Sequence, residues 1–235
     1  MEAFIEQISR YLFVGLDTNV FAILDGASIP ELRTTLHQLQ PPHVCLYRGE
    51  LEPDIAQVAP YLVELEPDSD FTDQVVLDGW GKHWGIFLRS TADLNAVRRH
   101  LRGLLIVNDP EARPMLFRYY DPRVLRKFLP TCDDEQLAAF FGPIDSYLLE
   151  SDDGKELWRF RMVNGRLKLE KRQFTTMEQE DLAHDRAERE IRRQQMQPSA
   201  ERELTDDDMQ QSLVNFWTTM HGVKPPRKKS EDPET

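Results

Sequence analysis

Apolar and polar positions follow two different periods along this chain, and each change of period marks a boundary between elements. Every residue from Val20 to Leu24 is apolar, which is typical of a strand buried on both faces. From Leu94 to Leu104, apolar residues instead recur three and four positions apart, as on the buried side of a helix. Strand-like and helical segments alternate in this way over residues 1–146. We therefore predict an α/β domain there, with a mixed sheet and flanking helices.

The pattern changes after residue 146. Asp152-Asp153-Gly154 and Asn164-Gly165 are strong signals for hairpin turns, and they predict a small antiparallel meander over residues 147–172. Charged residues with a thin apolar stripe follow, so residues 173–223 are predicted to form a helical C-terminal lobe. Residues 224–235 are rich in proline and charge, which predicts a disordered tail.

The most distinctive stretch is Met115–Leu129, in which a strand pattern passes directly into a helix pattern. A hairpin with Leu104–Val107 is expected, and the meeting of two apolar patterns predicts a deeply packed corner. The charged residues of this corner could form a functional cluster. Alternatively, an aspartate caps the helix, proline takes its first position, and an arginine pairs with the cap or with a carbonyl. This second interpretation makes five residues a structural motif: Arg118, Tyr120, Asp121, Pro122 and Arg123.

Polar pairs with the spacing of capping boxes mark three predicted helix starts within residues 1–146, and Thr205 with Asp208 marks a fourth before the last helix. The acidic stretch Glu66–Asp73 has no such pattern and is predicted to be a loop. The three pairs are Ser28 with Glu31, Ser90 with Asp93, and Thr131 with Asp134.

The overall charge limits the classes of partner. The chain has 235 residues, a formal net charge of −12 and a pI near 5.0, without the basic footprint usual in phosphate-binding proteins. We therefore expect no nucleic acid as a partner. No apolar run reaches the ~18 residues of a membrane span. The first residues lack a signal-peptide pattern, and Cys45 and Cys132 are expected to be free thiols, so we predict a cytoplasmic protein without a membrane partner.

Sequence motifs for catalysis are missing. The six histidines show no metal-binding spacing, and the sequence contains neither a Walker motif nor a G-x-S-x-G elbow. Pro67-Asp68 followed by Asp153-Gly154-Lys155 has the letters of a divalent-cation nuclease motif, but its second half coincides with a predicted hairpin turn. We predict no catalytic residue, no metal site and no cofactor.

An amphipathic helix near the C-terminus is the candidate for partner binding. It follows a charged segment and a Pro-Ser break, so it could fold back onto the core or dock a partner in a groove. Both interpretations stay open from the residues alone. The apolar face of this helix carries Met209, Leu213, Phe216, Trp217 and Met220.

Short sequence pieces between Val20 and Tyr147, taken in their order, resemble the type VI secretion effector chaperone family, also called the adaptor family. Each piece is weakly specific, whereas the ordered set is more so. The pieces are Leu24-Asp25-Gly26-Ala27, Cys45-Leu46-Tyr47 with Ala59-Pro60-Tyr61-Leu62-Val63, Trp84-Gly85-Ile86-Phe87, His100-Leu101-Arg102, Phe117-Arg118-Tyr119-Tyr120-Asp121-Pro122-Arg123-Val124-Leu125, and Phe141-Gly142-Pro143-Ile144.

The resemblance implies a bacterial cytosolic protein that is not an enzyme. Such a protein binds a cognate secreted effector, keeps it stable and loads it onto the valine-glycine-repeat (VgrG) spike protein of the secretion apparatus. No catalytic residues come with the family. We expect an apolar groove for an effector segment, partly walled by the helix of Trp217. Two alternatives stay open: an immunity-type protein that blocks a toxin, and a metal-dependent nuclease or hydrolase built on Asp68, Asp153 and Lys155.

Overall fold

A computed structural model describes residues 4–13, 18–109 and 111–196 of the chain. These ranges contain eight α-helices and one 3₁₀ turn, the latter over Leu129–Thr131. The α-helices are α1 (Phe4–Phe13), α2 (Leu32–Leu39), α3 (Pro53–Val58), α4 (Asp70–Gly79), α5 (Leu94–Leu104), α6 (Pro122–Phe128), α7 (Asp134–Phe141) and α8 (Thr176–Met196).

The strands of the described ranges form two sheets. The large sheet has seven strands in the order β2-β3-β1-β4-β7-β8-β9, and the small one pairs β5 with β6. The strands are β1 (Asn19–Asp25), β2 (His43–Cys45), β3 (Pro60–Leu65), β4 (Gly85–Ser90), β5 (Ile106–Asn108), β6 (Pro114–Leu116), β7 (Ser146–Glu150), β8 (Glu156–Val163) and β9 (Arg166–Gln173).

Helices cover both faces of the large sheet, which explains its continuous apolar strands. Helices α1, α2 and α4 supply side chains to the core on one face, and α5, α6 and α7 supply the core on the other. Strand β1 contributes to both: Val20, Ala22 and Leu24 lie in the first core, and Phe21 and Ile23 in the second. Both sets are buried because successive side chains of a strand point to opposite faces.

The predicted class, helices flanking a sheet with a meander and a C-terminal helix, is confirmed. The direction of the strands is a correction, because every pairing that the described residues make in the large sheet is antiparallel. An apolar run reports that both faces of a strand are covered and carries no information about strand direction. The predicted meander is present as β7, β8 and β9, and it extends the large sheet.

The second helix begins without the predicted capping box. Glu31 precedes α2 in a left-handed conformation, with φ of 57°, and its side chain makes no capping hydrogen bond. The Ser28 hydroxyl instead donates to the Asp25 carboxylate at 2.9 Å. The Ser28 hydroxyl, which the sequence spacing predicted as the cap of α2, therefore binds the buried Asp25 carboxylate instead.

Two other predicted helices are present, but each begins two or three residues later than its predicted box and uses a different cap. Asp93 caps α5 alone, accepting the N–H three positions later at 2.7 Å. A complete capping box at α7 is formed by Asp133 with the glutamine three residues on. Ser90, Thr131 and Asp134 do not cap these helices. An aspartate carboxylate caps a helix as well as a hydroxyl does, so the aspartate nearest the first helical turn takes the role and shifts the start.

One helix is absent from the sequence prediction. Residues predicted as the loop Glu66–Asp73 lead into α4, which is capped by Ser69 through the N–H of Thr72 at 3.2 Å. Buried Phe71, Val75 and Val76 face the first core. Two of the acidic residues that suggested a loop, Asp70 and Asp73, lie in the first turn, where the helix dipole favours negative charge.

The C-terminal part of the chain is described only in its first segment. Among the described residues, those up to Glu188 belong to one compact unit, and the last residues of α8, from Arg189 to Met196, belong to another. The predicted helix with Trp217 and the predicted tail over residues 224–235 lie outside the described residues.

Candidate functional site

The predicted corner is a tightly capped helix start. The Asp121 carboxylate accepts the N–H of Arg123 at 2.9 Å, and Pro122 takes the first position of α6. The Arg123 guanidinium returns to the same carboxylate at 2.7 Å. Burial raises the pKa of Asp121, but the hydrogen bonds from Arg123 outweigh it, so the pKa lies below its ordinary value.

A second carboxylate ties this corner to the central strand. Asp25, at the end of β1, is almost fully buried and forms an ion pair with Arg118. It also accepts the N–H of Ala27 at 3.1 Å and the hydroxyl of Ser28 at 2.9 Å. The guanidinium carbon of Arg118 lies 5.9 Å from the ring centre of Tyr120. The corner is therefore held by charge-assisted hydrogen bonds as well as by packing.

The two tyrosines of the corner are interior residues. Tyr119 and Tyr120 are buried, and the Tyr119 hydroxyl donates to the carbonyl of Leu101 in α5 at 2.9 Å. Burial raises the pKa of both hydroxyl groups. The ring of Tyr119 meets that of Phe140 edge to face at 5.7 Å. These contacts place the aromatic part of the motif in the second core, where it positions the chain between hairpin and helix.

The predicted hairpin is present, and it is anchored to this corner. After β6, the N–H of Phe117 donates to the carbonyl of Leu105 at 2.8 Å. The ring of Phe117 packs on that of Phe128 with centres 4.7 Å apart. At the other end, Asp109 accepts from the backbone and side chain of Arg113 at 2.8 and 2.7 Å. Both ends of the hairpin are thus held by specific hydrogen bonds.

The hairpin carries an exposed apolar surface, which we call the apolar hairpin and define as Ile106, Val107, Met115 and Leu116. Their exposed fractions are 57, 37, 49 and 47%. Ile106 lies opposite Leu116 and Val107 opposite Met115, so each face carries one apolar pair. In the described ranges no third strand joins β5 and β6. Clustered exposed apolar residues are typical of protein-binding surfaces.

This exposure corrects the prediction of a corner that is deeply packed throughout. The period-two pattern from Met115 onwards suggested one strand with a buried face. The strand ends at Leu116, and burial begins only at Tyr119. The physical reason is that the hairpin forms a two-stranded sheet of its own instead of joining the large sheet, whose faces the helices cover.

The glycine-rich aromatic stretch after α4 is organised by a buried carboxylate. Glu150, in β7, accepts the N–H of Gly81 and, at 2.7 Å, that of His83. Burial raises the pKa of Glu150, while these N–H groups and the His83 ring oppose the rise. The indole N–H of Trp80 donates to the carbonyl of Gly154 at 2.8 Å. These hydrogen bonds tie the segment of Trp80 and Gly81 to β7 and to the turn that follows it.

The residues of the nuclease-like pattern have structural contacts. The Asp153 carboxylate accepts from the Ser151 hydroxyl at 2.7 Å and from the N–H of Lys155 at 3.1 Å, closing the turn between β7 and β8. Among residues 4–13, 18–109 and 111–196, no three His, Cys, Asp or Glu side chains could together hold a metal ion. No helix in these ranges is long and apolar enough to span a membrane.

The predicted partner-binding helix is not part of the described chain. Met209, Leu213, Phe216, Trp217 and Met220 all lie outside the described residues, and their contacts stay a prediction. The apolar hairpin is the exposed surface that sequence reasoning missed. The length of its strands gives no signal for this exposure, since the three-residue strand β2 joins the large sheet.

A comparison with family models gives one match, to a domain of unknown function (DUF4123), over residues 20–139. The match covers slightly more than half of the chain. The chain belongs to the DUF4123 family. The DUF4123 match runs from β1 into α7, so it includes both the Asp25–Arg118 ion pair and the apolar hairpin. No curated protein and no solved structure matches the chain.

Proposed function

We propose that this DUF4123 protein is a non-enzymatic adaptor chaperone that binds a cognate type VI secretion effector, stabilises it and helps to load it onto the valine-glycine-repeat spike protein. The ordered sequence pieces that resemble the effector chaperone family support the proposal. The observation that carries it is the apolar hairpin, four exposed apolar side chains on a short two-stranded sheet.

The hairpin suits a binding role because its apolar side chains can be covered with little rearrangement. Complete burial of a side chain such as Ile or Leu stabilises by about 1.5–3 kcal/mol, and roughly half of that remains available at these exposures. The base of the hairpin is held in place by two contacts of Phe117. Its ring packs on Phe128, and its N–H donates to the carbonyl of Leu105. A preordered surface loses less conformational entropy on binding. A chaperone that binds the folded effector and not the unfolded one stabilises the folded effector by mass action.

The test is co-purification with candidate effectors encoded by the neighbouring genes, each expressed together with this chain. Ile106→Asp combined with Leu116→Asp places two carboxylates on one face of the hairpin. We expect this pair to abolish co-purification, because the contact would bury unpaired charge. Leu39→Asp with Ile55→Asp is the matched control, since both residues are exposed apolar side chains elsewhere, at 41 and 48%. Co-purification that survives the hairpin changes would refute this surface as the effector contact.

The same complex separates the proposal from an immunity role. An immunity protein must block the toxic activity of its partner, whereas a chaperone stabilises the partner and promotes its secretion. The toxin activity of the purified effector is measured with and without the full chain, together with effector secretion by cells. Complete inhibition without any effect on effector level or secretion would contradict the adaptor proposal.

A further inference from the structure

Strand β9 is an edge strand with an open backbone. It pairs with β8 on one side, and in the described ranges no strand pairs with its other side. None of its eight residues is buried. An open edge presents unpaired N–H and C=O groups that a further strand can use.

The turn before β9 determines which groups point outward. A two-residue turn at Asn164-Gly165 makes Val163 and Arg166 a hydrogen-bonded pair. Hydrogen bonds to β8 then recur at every second residue, and Phe174, of the same parity, donates to Lys155 at 2.8 Å. The outward groups therefore belong to the alternate set, which is Leu167, Leu169, Lys171 and Gln173.

The edge is basic in a strongly acidic protein. Strands β8 and β9 together contain six Arg or Lys residues and two Glu, whereas the whole chain has a formal net charge of −12. One of the two acids, Glu170, is already engaged by Arg161 at 2.6 Å and Lys168 at 3.1 Å. Hydrogen bonds from these two cations lower the pKa of Glu170. Arg172 pairs with Glu178, and the net charge of β8 and β9 together is positive.

One face of the edge also offers apolar contact. Leu167 lies opposite Met162 and Leu169 opposite Phe160 in the pairing with β8. The Lys171 ammonium lies 3.6 Å from the ring centre of Trp158, so its charge is held close to this row. A further strand that pairs with β9 would therefore contact both apolar side chains and cations along its length.

We propose that β9 accepts an extended, acidic segment of a partner protein by strand addition. Charged residues on an edge normally prevent pairing between copies, because two basic edges repel one another. The same charge favours a segment of opposite sign, which selects an acidic partner over a second copy of this chain. The proposal rests on the proposed function only for the class of the partner, a protein. Its test does not involve the apolar hairpin.

The probe is a capped synthetic peptide of alternating Glu and Val, with the length of β9. A peptide with Lys in place of Glu is its counterpart. Binding to the full chain is followed by fluorescence anisotropy at low and high salt, and by amide hydrogen exchange. We expect the acidic peptide to bind in a salt-sensitive way. Exchange should slow at the outward amides of Leu167, Leu169 and Lys171, since strand addition gives them acceptors.

Matched variants locate the site. Leu169→Pro removes an outward N–H at an edge position that tolerates proline, whereas Leu169→Ala keeps the N–H. Arg166→Glu with Lys168→Glu changes the formal charge of β9 from positive to negative, and Arg99→Glu with Lys127→Glu makes the same charge change elsewhere.

The proline and edge-charge variants should each weaken binding by about tenfold or more, while the alanine and remote-charge variants keep it. Thermal unfolding checks that each variant is folded. Equal binding of the basic peptide, no binding of the acidic peptide, or unchanged binding by the folded proline variant would each overturn the proposal.

One outcome would reassign the edge to the chain itself. Residues Asp206, Asp207 and Asp208 form an acidic stretch outside the described residues. Binding that appears only after all three are changed to Asn would identify this stretch as the occupant and overturn the proposal of a partner segment.

Discussion

Arg118 and Asp25 form an ion pair between residues that are 93 positions apart in the sequence. Asp25 ends the central strand β1, and Arg118 lies between the apolar hairpin and α6. The pair therefore connects the core sheet to the element that presents the exposed apolar surface. Any change that loosens it should affect both the stability of the fold and the position of the hairpin.

Removing the arginine should leave a buried charge short of its partner. Arg118→Gln is expected to lower the free energy of unfolding by about 1–2 kcal/mol, because Asp25 keeps its hydrogen bonds to Ala27 and Ser28 but loses the cation. Arg118 is partly exposed, at 43%, which limits the loss. Urea unfolding of the two single variants and of Arg118→Gln with Asp25→Asn closes a double-mutant cycle. A coupling energy near zero would contradict an energetic role for the ion pair.

Acid should selectively weaken the cap of α6. The folded-state pKa of Asp121 is below its unfolded value, so its contribution is present above the unfolded pKa of about 3.9 and is lost as pH falls through the folded pKa. We expect wild type to exceed Asp121→Asn in unfolding free energy by about 1 kcal/mol near neutral pH. This difference should shrink below about pH 4. A difference independent of pH would show that the charge of Asp121 does not contribute.

Two glycines should respond in opposite ways to alanine. A Cβ at Gly85 would lie 1.9 Å from the carbonyl oxygen of Ile23, on the neighbouring backbone of β1. Gly85→Ala should therefore destabilise by roughly 3 kcal/mol or more, since a central strand cannot move aside cheaply. Gly103→Ala in α5 meets open space and should stabilise by up to about 1 kcal/mol. Equal thermal stability of the two variants would contradict the close approach of β1 and β4.

The C-terminal helix predicted from sequence makes a separate functional prediction. Replacing Leu213, Phe216 and Trp217 with charged residues should leave the described domain folded and abolish effector co-purification, if the helix docks the partner. The combination Ile106→Asp with Leu116→Asp, measured in parallel, distinguishes the contribution of the hairpin. A cooperative unfolding transition that moves to lower temperature in the helix variant would instead indicate that the helix folds onto the core.

Local sequence patterns were sufficient to predict the class of fold, the central strand, the hairpin turns and the start of α6. Those features depend on neighbouring residues: an apolar run, Asn-Gly or Asp-Gly, and Asp121 followed by Pro122. Helix α4 was missed because its acidic first turn looks like a loop until the apolar side of Phe71 and Val75 is seen against the core.

Features that join distant residues depended on the folded chain. Strand direction, the continuation of the meander into the large sheet and the pairing of Asp25 with Arg118 all bring together segments far apart in sequence. The exposure of the apolar hairpin also depended on the folded chain. Its residues have the composition of a core, and they are exposed because, in the part of the chain that the structure describes, their two strands pair only with each other. Periodicity specifies which side chains share a face, whereas packing decides whether that face is covered.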